Sequence, residues 1–326
     1  MATSRSIVID KRQASRCLLD IVQAAFRLSR TKALDALRNR QVHICGGACL
    51  DPQRRVKIGQ HIQFHANPPQ PAKPKLSEVA LQIVVRYVDE HVIVVEKPAG
   101  LTTVRHAEEV ASLDKRAHKF LPPTLVDLLP AVLAHIGEPS GVKSRIRAVH
   151  RIDKETSGLV VLARTPEAES HLGKQFRAHT TGRNYLALVR GQAKNARIES
   201  KIAADRGDGR RGSSETQKGQ HAVTHVRVVE WLGDFTLVEC RLETGRTHQV
   251  RIHLGETSTP LCGERIYDRP LHGKPLPDTS GANRPMLHAA YLEFEHPATG
   301  KQMEWTAKMP KDMNELVKRI QRKNGE

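Results

Sequence analysis

A single aspartate stands between two cations in the segment HRIDKETSGLVVLA, immediately before an apolar run. Arg151 and Lys154 flank Asp153, and neighbouring positive charge favours the ionised form of a carboxylate even where burial opposes it. An ionised carboxylate at the start of a buried strand can act as a nucleophile. The alternative is structural, because Asp153 could cap a turn through Thr156 or Ser157. Both interpretations remain open from this segment alone.

Two later segments carry other side chains that could take part in binding or catalysis. The segment RNYLALVRG places Tyr185 in an apolar strand pattern, where a ring face can stack against a planar ligand. The segment LETGRTHQVRIHL carries Arg246 and Arg251 near the start of another polar-to-apolar stretch. A guanidinium is a planar fork that matches a carboxylate or a phosphate. Together the three segments supply a nucleophile, an aromatic surface and cations.

The charge of the whole chain points to a polyanionic partner. Its 326 residues carry a formal net charge of +17, and residues 1–75 contain fourteen Lys and Arg against four Asp. Uncompensated positive charge repels itself unless a polyanion shares the surface, so the composition predicts a nucleic-acid partner ahead of a membrane surface. A charge that serves only solubility is the alternative.

Composition also argues against several classes of protein. No apolar run approaches the roughly 18 residues of a membrane span, and the N-terminal patch SIVI is too short for a signal-peptide core. We therefore expect a cytoplasmic protein without membrane association. Five cysteines in such a chain favour reduced thiols over disulfides. Cys45 and Cys49 could suggest zinc, but no second Cys/His pair follows at ligand spacing.

A proline-rich segment, NPPQPAKPK, divides the chain, because its composition is typical of a semi-rigid linker. The predicted division is an N-terminal tail at residues 1–13, a small basic domain at 14–66, a linker at 67–76 and a larger domain at 77–326. The chemically promising segments all fall in the larger domain.

The small basic domain is predicted to contain two short amphipathic helices, capped by Ser15 and Ser29, followed by strands at QVHIC and VKIGQHIQF. This order resembles the S4 RNA-binding domain. The resemblance is carried by Leu28, Ser29 and Arg30 at the second helix, Val42 and Ile44 in the strand, and Gly59 before Ile62. It implies contacts to RNA phosphates from Arg30, Lys32, Arg38 and Arg40. Each of the four could instead belong to a solvated helix face.

The larger domain is predicted to be rich in strands. Strands are expected at residues 81–87, 91–96, 159–163, 183–191, 222–230 and 235–243, with two more inside 286–308. Helices are expected at 125–136 and 166–178. Residues 194–220 have the polar composition of a loop, and residues 102–147 are interpreted as partly an insertion. The segment GDGRRG does not lie between a strand and a helix, so it predicts no nucleotide site.

The segments around Asp153, Tyr185 and Arg246 together resemble the RluA-type pseudouridine synthases, enzymes that isomerise uridine in ribosomal and transfer RNA. The resemblance is carried by the runs HRID and TSGL, by Tyr185, and by GRTHQVRIH. Further agreement comes from KPAGL upstream, and from LHA and HP downstream. Two departures stand out: Glu264 occupies the place of a usual aspartate and is not followed by the usual Tyr-Gly pair, and Ile152 replaces leucine. Neither departure touches the implied chemistry.

The resemblance implies an α+β fold, in which a mixed, largely antiparallel sheet flanked by helices carries an RNA cleft across its face. It implies that Asp153 is the nucleophile, attacking either the anomeric carbon of the sugar or ring carbon 6 of the base. Since the reaction involves no redox step or group transfer, neither a metal nor an organic cofactor is implied.

The resemblance also implies roles for the remaining candidates. Arg246 is expected to hold Asp153 through a charge-assisted hydrogen bond, although it could serve only a backbone turn. Tyr185 is expected to stack against the extruded uracil and assist proton removal from carbon 5, unless it is an ordinary core residue. Arg151 would stack in the gap left by the flipped nucleotide. For Arg251, a phosphate contact or a structural ion pair is favoured over a catalytic role.

Three hypotheses about function follow. The leading one is an RNA pseudouridine synthase acting on large-subunit ribosomal RNA, since an S4 domain joined to such a catalytic domain is an arrangement that this family uses. The same chemistry on transfer RNA is the second. The third is a non-catalytic RNA-binding or ribosome-assembly factor, which would be free to lose Asp153, Tyr185 or Arg246. We expect a monomer.

Overall fold

The computed structural model describes residues 4–66, 76–105, 121–138, 145–214 and 219–324. The chain forms two compact units, Met1–Lys73 and Pro74–Glu326. The boundary falls inside the segment predicted to be a linker, of which residues 67–75 lie outside the described part. Each unit is described by itself below.

The small unit consists of two helices and a four-stranded antiparallel sheet of order β1-β4-β2-β3. Its elements are β1 (Ser4–Val8), α1 (Leu18–Phe26), α2 (Arg30–Arg38), β2 (Val42–Ile44), β3 (Gly47–Ala48) and β4 (His61–His65). Buried residues of both helices and of β2 and β4 form one apolar core. Ser29 caps α2 as expected, since its Oγ accepts a hydrogen bond from the Lys32 amide at 3.3 Å.

Two expectations for the small unit were wrong. Ser15 does not cap α1; Cys17 occupies that position and Ser15 has a left-handed backbone with φ of 63°. Residues expected to be a tail form β1, which pairs along its whole length with β4. The apolar run in β1 is short, so its strand character depends on a partner that is distant in the sequence.

The larger unit contains an eleven-stranded sheet. Its strands are β5 (Val84–Val88), β6 (Val92–Lys97), β7 (Arg147–Ala148), β8 (Ser157–Ala163), β9 (Gly182–Arg190), β10 (Ala196–Ala203), β11 (Gly212–Ser213), β12 (Gln220–Leu232), β13 (Phe235–Leu242), β14 (Leu287–Glu295) and β15 (Gln302–Thr306). The order is β11-β10-β12-β13-β9-β14-β8-β6-β5, with β15 on β14 and β7 on β8. Among the strands of the described ranges, only β14 and β8 pair in parallel, so the expected mixed, largely antiparallel sheet is confirmed.

Helices cover both faces of this sheet. They are α3 (Glu78–Leu81), α4 (Leu125–His135), α5 (Pro166–Ala178), α6 (Gln249–Glu256) and α7 (Lys311–Asn324). Alternate residues of β8 point to opposite faces, so Val160 packs in the cluster that contains α4, while Val161 packs in the cluster that contains α5. This two-sided burial explains why β8 is a continuous apolar run.

The helices predicted at 125–136 and 166–178 are confirmed. Two strands of this unit were missed, because β10 and β11 both lie inside the stretch of residues 194–220 that was expected to be a loop. In β10 the charged residues Arg197, Glu199 and Lys201 alternate with the apolar residues Ile198 and Ile202, which is the pattern of a half-exposed strand. The high overall polarity of the stretch hid this alternation from the sequence analysis. Parts of the expected insertion, residues 106–120 and 139–144, lie outside the described residues. Across the described ranges, no helix has the length and apolar character needed to cross a bilayer.

Candidate active site

Asp153 lies in the loop that joins β7 to β8, and the backbone on each side of it is held in place. Thr103 Oγ1 donates a hydrogen bond to the Ile152 carbonyl at 2.9 Å. Lys97 Nζ donates to the Lys154 carbonyl at 3.1 Å. Because both neighbours are fixed, the direction of the Asp153 side chain toward the adjoining cavity is fixed as well.

The ammonium of Lys97 connects two loops rather than meeting a carboxylate. It is 1% exposed and donates to the carbonyls of Pro98, Leu101 and Lys154 at 2.9, 2.7 and 3.1 Å. Burial lowers its pKa to about 7, against the opposing charges of Asp153 and Glu155. The KPAGL segment therefore supports the loop that carries Asp153.

Gly158 allows β14 to approach β8 closely. Its φ is +116°, and a Cβ at this position would overlap the Ala289 carbonyl oxygen. Next to it, Ser157 Oγ and His288 Nδ1 share a hydrogen bond of 2.9 Å between the same two strands. These two contacts place the loop of Asp153 beside the end of β14.

Arg251, on α6, is the cation that pairs with Asp153. Its Nη1 lies 3.6 Å from Asp153 Oδ2. The Nε and Nη2 of the same guanidinium donate to the two oxygens of Glu264 at 2.7 and 2.9 Å. Glu264 Oε1 also accepts from three backbone amides, those of Arg265, Ile266 and Tyr267. Burial tends to raise the pKa of Glu264, but the bonds from Arg251 and the amides outweigh it, so the pKa is lowered.

Arg246 does not occupy the position that the sequence analysis gave it. Its Nε donates to the His221 carbonyl at 2.9 Å, and its backbone amide donates to Gln249 Oε1 at 3.0 Å. The ion pair with Asp153, expected from Arg246, comes from Arg251 instead. The physical reason is local: α6 begins at Gln249, so Arg251 is held within the first turn of a buried helix, while Arg246 precedes it.

His248 and Tyr267 complete the surroundings of the carboxylate. His248 Nε2 lies 3.8 Å from Asp153 Oδ1, and its Nδ1 shares a hydrogen bond of 2.8 Å with the Tyr267 hydroxyl. Burial is the main cause that lowers the pKa of His248, with Asp153 opposing it. The Arg251 guanidinium also lies 5.2 Å from the centre of the Tyr267 ring.

Tyr185 lies on β9, between β13 and β14, and packs against two apolar clusters. Burial raises its pKa to about 12, with Arg183 opposing and Asp153 adding to the shift. The phenol therefore keeps its proton near neutral pH, and a phenolate base is scarce. The ring lines the same cavity as Asp153.

The cavity measures about 410 Å³ and is strongly cationic. Asp153 is the one acid among the described residues that line it. Its arginines are Arg151, Arg177, Arg183, Arg246 and Arg251. Such a lining suits a polyanion that delivers one planar group to a carboxylate.

Arg30, Lys32, Arg38 and Arg40 are all exposed and belong to the separate small unit.

Comparison with known proteins identifies the family of this chain. A family model described as RNA pseudouridylate synthase matches residues 91–256, half of the chain, and this match includes Asp153, Tyr185 and Arg251. An uncharacterised RNA pseudouridine synthase of Bacillus subtilis is 36% identical over 301 residues, which are 91% of each chain. The chain belongs to this family. It is an RNA pseudouridine synthase, so the expected enzyme class is confirmed.

Other relatives of this synthase carry a more specific name. The ribosomal large subunit pseudouridine synthase D of Zymomonas mobilis is 36% identical over 308 residues, covering 90% of each chain. The protein of that name from Pseudomonas aeruginosa is 33% identical over 272 residues, covering 82% of this chain and 80% of the relative. Among solved structures, human RNA pseudouridylate synthase domain containing 4 superposes with a TM-score of 0.56 at 21% identity, over 73% of this chain and 93% of that one. That similarity confirms the fold.

Three residues around the catalytic cavity of the synthase were given no role from the sequence: Glu264, His248 and Arg183. Glu264 was noted only because it replaces a usual aspartate, yet its acidic character was a usable signal for an arginine partner. His248 gave no signal, because its place depends on a left-handed backbone with φ of 59° just before α6. Arg183 was hidden in a strand pattern.

Proposed function

We propose that Asp153 is the nucleophile of this pseudouridine synthase. The observation that carries the proposal is the 3.6 Å ion pair with Arg251 at the wall of a cationic cavity. Within the described residues, no hydrogen bond reaches either carboxylate oxygen of Asp153, so its lone pairs are available for attack. The structural alternative has little support, because Thr156 donates only to the Asp153 backbone carbonyl and not to its side chain.

The proposed reaction needs little beyond this carboxylate. The bond from uracil nitrogen 1 to the sugar breaks, and a bond from carbon 5 to the same anomeric carbon forms. A proton leaves carbon 5 and a proton is gained at nitrogen 1, so no electrons enter or leave. Asp153 bonds covalently to the substrate, at the anomeric carbon or at ring carbon 6, and is released at the end.

Tyr185 and Arg251 assist in different ways. The raised pKa of Tyr185 keeps its ring neutral, which favours stacking against the extruded uracil over a role as phenolate base. Arg251 stays charged and is held by Glu264, so it stabilises the ionised carboxylate of Asp153 without needing to reorganise.

We further propose that the target is a uridine of large-subunit ribosomal RNA. Support comes from the relatives named ribosomal large subunit pseudouridine synthase D, which are 33–36% identical over most of the chain. The small unit is proposed to act as an S4-type RNA-binding domain through Arg30, Lys32, Arg38 and Arg40, all exposed on α2 or just after it. Arg151 is proposed to fill the gap in the RNA stack, and Arg246 to contact phosphate.

The test is a map of pseudouridines in total RNA from cells with and without the gene. We expect one or a few pseudouridines of large-subunit RNA to disappear and to return with the wild-type gene but not with Asp153→Asn. Loss confined to transfer RNA would overturn the proposed target, and restoration by an Asp153→Asn protein of normal melting temperature would overturn the proposed nucleophile.

A further inference from the structure

Arg183, at the start of β9, is a buried cation that pairs with no acid among the described residues. It is 8% exposed, and its Nε and Nη2 have no hydrogen-bond partner within the described part of the chain. Its guanidinium lies 5.6 Å from the centre of the Phe176 ring, a contact that supports one face of the group but supplies no acceptor. Burying a charged group without a partner costs free energy, and an anion bound to Arg183 would offset that cost.

Other arginines of the larger unit show what this edge of a guanidinium binds. Arg251 uses Nε and Nη2 to hold Glu264, and Arg284 uses the same two atoms to hold Asp312. In Arg183 the matching edge has no acid. Burial lowers the pKa of Arg183, and the positive charge of Arg246 lowers it further. The free edge is therefore suited to a two-point contact with an anion that the described residues do not provide.

Arg183 lies where two cavities meet. It lines the Asp153 cavity and also a second cavity of about 350 Å³, whose walls include His179, Thr181, His221 and Arg241. The described walls of the second cavity also include one acid, Glu243, which is paired with His225. Thr181 is 4% exposed, and its Oγ1 is a second buried polar atom without a described partner. Thr181 lies in the bend immediately before β9, and it lines the second cavity together with Arg183.

The surrounding chain makes room for this guanidinium. A Cβ at Gly245 would meet Arg183 Nη1, so the glycine leaves space for the guanidinium in its present position. The atoms Nε and Nη2 are covered in this structure, so a ligand reaches them only after the guanidinium turns. The guanidinium makes no hydrogen bond to the described residues, so this turn breaks none.

We propose that Arg183 and Thr181 form a subsite for a backbone phosphate of the RNA strand next to the target uridine. A phosphodiester offers two unesterified oxygens and one negative charge, which match the two-nitrogen edge of Arg183 and leave an oxygen for the Thr181 hydroxyl. Tyr185, two residues further along the same side of β9, then lies beside the base. This subsite rests on the proposed catalytic role of the Asp153 cavity.

The subsite fixes the position of the RNA strand relative to Asp153, so Arg183 is a positioning residue. Arg183→Gln should raise KM about tenfold while kcat falls much less, because the phosphate contact is present both before and during reaction. The melting temperature should rise, since a buried uncompensated charge is removed. A purely structural arginine would give the opposite result, a lower melting temperature with unchanged KM.

The decisive experiment pairs this variant with a modified substrate. RNA oligonucleotides containing the mapped uridine would carry one neutral methylphosphonate linkage, placed in turn at each phosphate flanking that uridine. One linkage should weaken wild-type binding about tenfold and leave Arg183→Gln almost unaffected. Thr181→Val should keep part of the sensitivity.

Arg177→Gln is the matched control, because it removes an exposed arginine of the same catalytic cavity. It should weaken binding of every oligonucleotide but remain sensitive to the methylphosphonate. If binding by Arg183→Gln is still weakened by a methylphosphonate to the same extent as wild-type binding, the proposed subsite is wrong. Turnover of the unmodified RNA by the wild-type protein would leave the catalytic proposal standing in that case.

Discussion

Arg251 contacts two carboxylates at once, and the two contacts differ in kind. Glu264 accepts two hydrogen bonds that fix the guanidinium. Asp153 forms an ion pair with it, in which Nη1 and Oδ2 are 3.6 Å apart, but no hydrogen bond. We expect Arg251→Lys to lower kcat on the order of 10²- to 10³-fold, because lysine is a point charge that cannot serve both acids. RNA affinity should change little. Single-turnover release of tritium from carbon 5 measures the first, and filter binding the second.

Arg246→Lys is the natural comparison, since both arginines lie in one sequence motif. Within the described ranges its guanidinium donates only to the His221 carbonyl, so its replacement should act mainly on KM. A larger loss of kcat in Arg246→Lys than in Arg251→Lys would contradict the arrangement of the site.

At this scale the sequence predicted the right side chains but not their pairing. Asp153 and Tyr185 were placed at one site from their segments, and the structure brings both to one cavity. The choice between Arg246 and Arg251 depends on where α6 begins, and helix starts without a capping side chain leave a weak signal. The role of Arg183 depends on what is missing around it, which no local pattern can reveal.

Three histidines connect elements of the larger unit in their neutral form: His253 and His288 are buried, and His150 is half-buried. His150 Nε2 accepts from the Val161 amide at 3.0 Å, His253 bonds Thr224 and Ser200, and His288 bonds Ser157. Burial lowers the pKa of His253 and His288 to about 4, and burial with the charge of Arg183 lowers that of His150 to about 3.

These histidines should make the fold sensitive to acid. An unfolded histidine binds a proton near pH 6.5, whereas these three stay neutral in the folded state until about pH 3–4. Between those limits the unfolded state holds more protons, so stability is lost as pH falls. The expected loss is up to about 1.4 kcal/mol per pH unit for each histidine. Denaturant unfolding at a series of pH values measures it.

His253→Gln supplies the control for that measurement. Glutamine can keep polar contacts to Thr224 and Ser200 but cannot titrate, so the slope of stability against pH should decrease by one proton. An unchanged slope would show that His253 is already charged in the folded protein.

Elements with strong periodicity were predictable, and those that depend on distant partners were not. The central strand β8 is buried on both faces, so it reads as a continuous apolar run. Helix α5 is buried on one face, so its apolar residues recur at helical spacing. The strand β1 lacks such a pattern, and its structure depends on pairing with β4, which is distant in the sequence. The strand β10 has an alternating pattern, but it lies in a polar stretch whose composition is that of a loop.

The whole molecule consists of two units with separate apolar cores. The core of the small unit contains only residues from Ile9 to Phe64, so the larger unit should fold without it. Deleting residues 1–73 should weaken RNA binding and flatten its dependence on salt. Each lost phosphate contact removes about 0.7–0.9 from the slope of log K against log salt.

Binding titrations at several salt concentrations test this, with circular dichroism as the control for folding. Isomerisation of short RNA fragments should survive the deletion, because the catalytic cavity lies wholly in the larger unit. An unchanged salt slope would show that the small unit does not bind RNA.

The position of β14 in the sheet has a consequence for how the enzyme is made. This strand lies between β8, which follows Asp153, and β9, which carries Tyr185, yet it is the last of the three in the chain. Ser157 and its partner His288 are 131 residues apart. At typical rates of translation, β8 waits on the order of ten seconds for this neighbour to leave the ribosome. We therefore expect the arrangement of Asp153 and Tyr185 around β14 to be completed only after most of the chain has been synthesised.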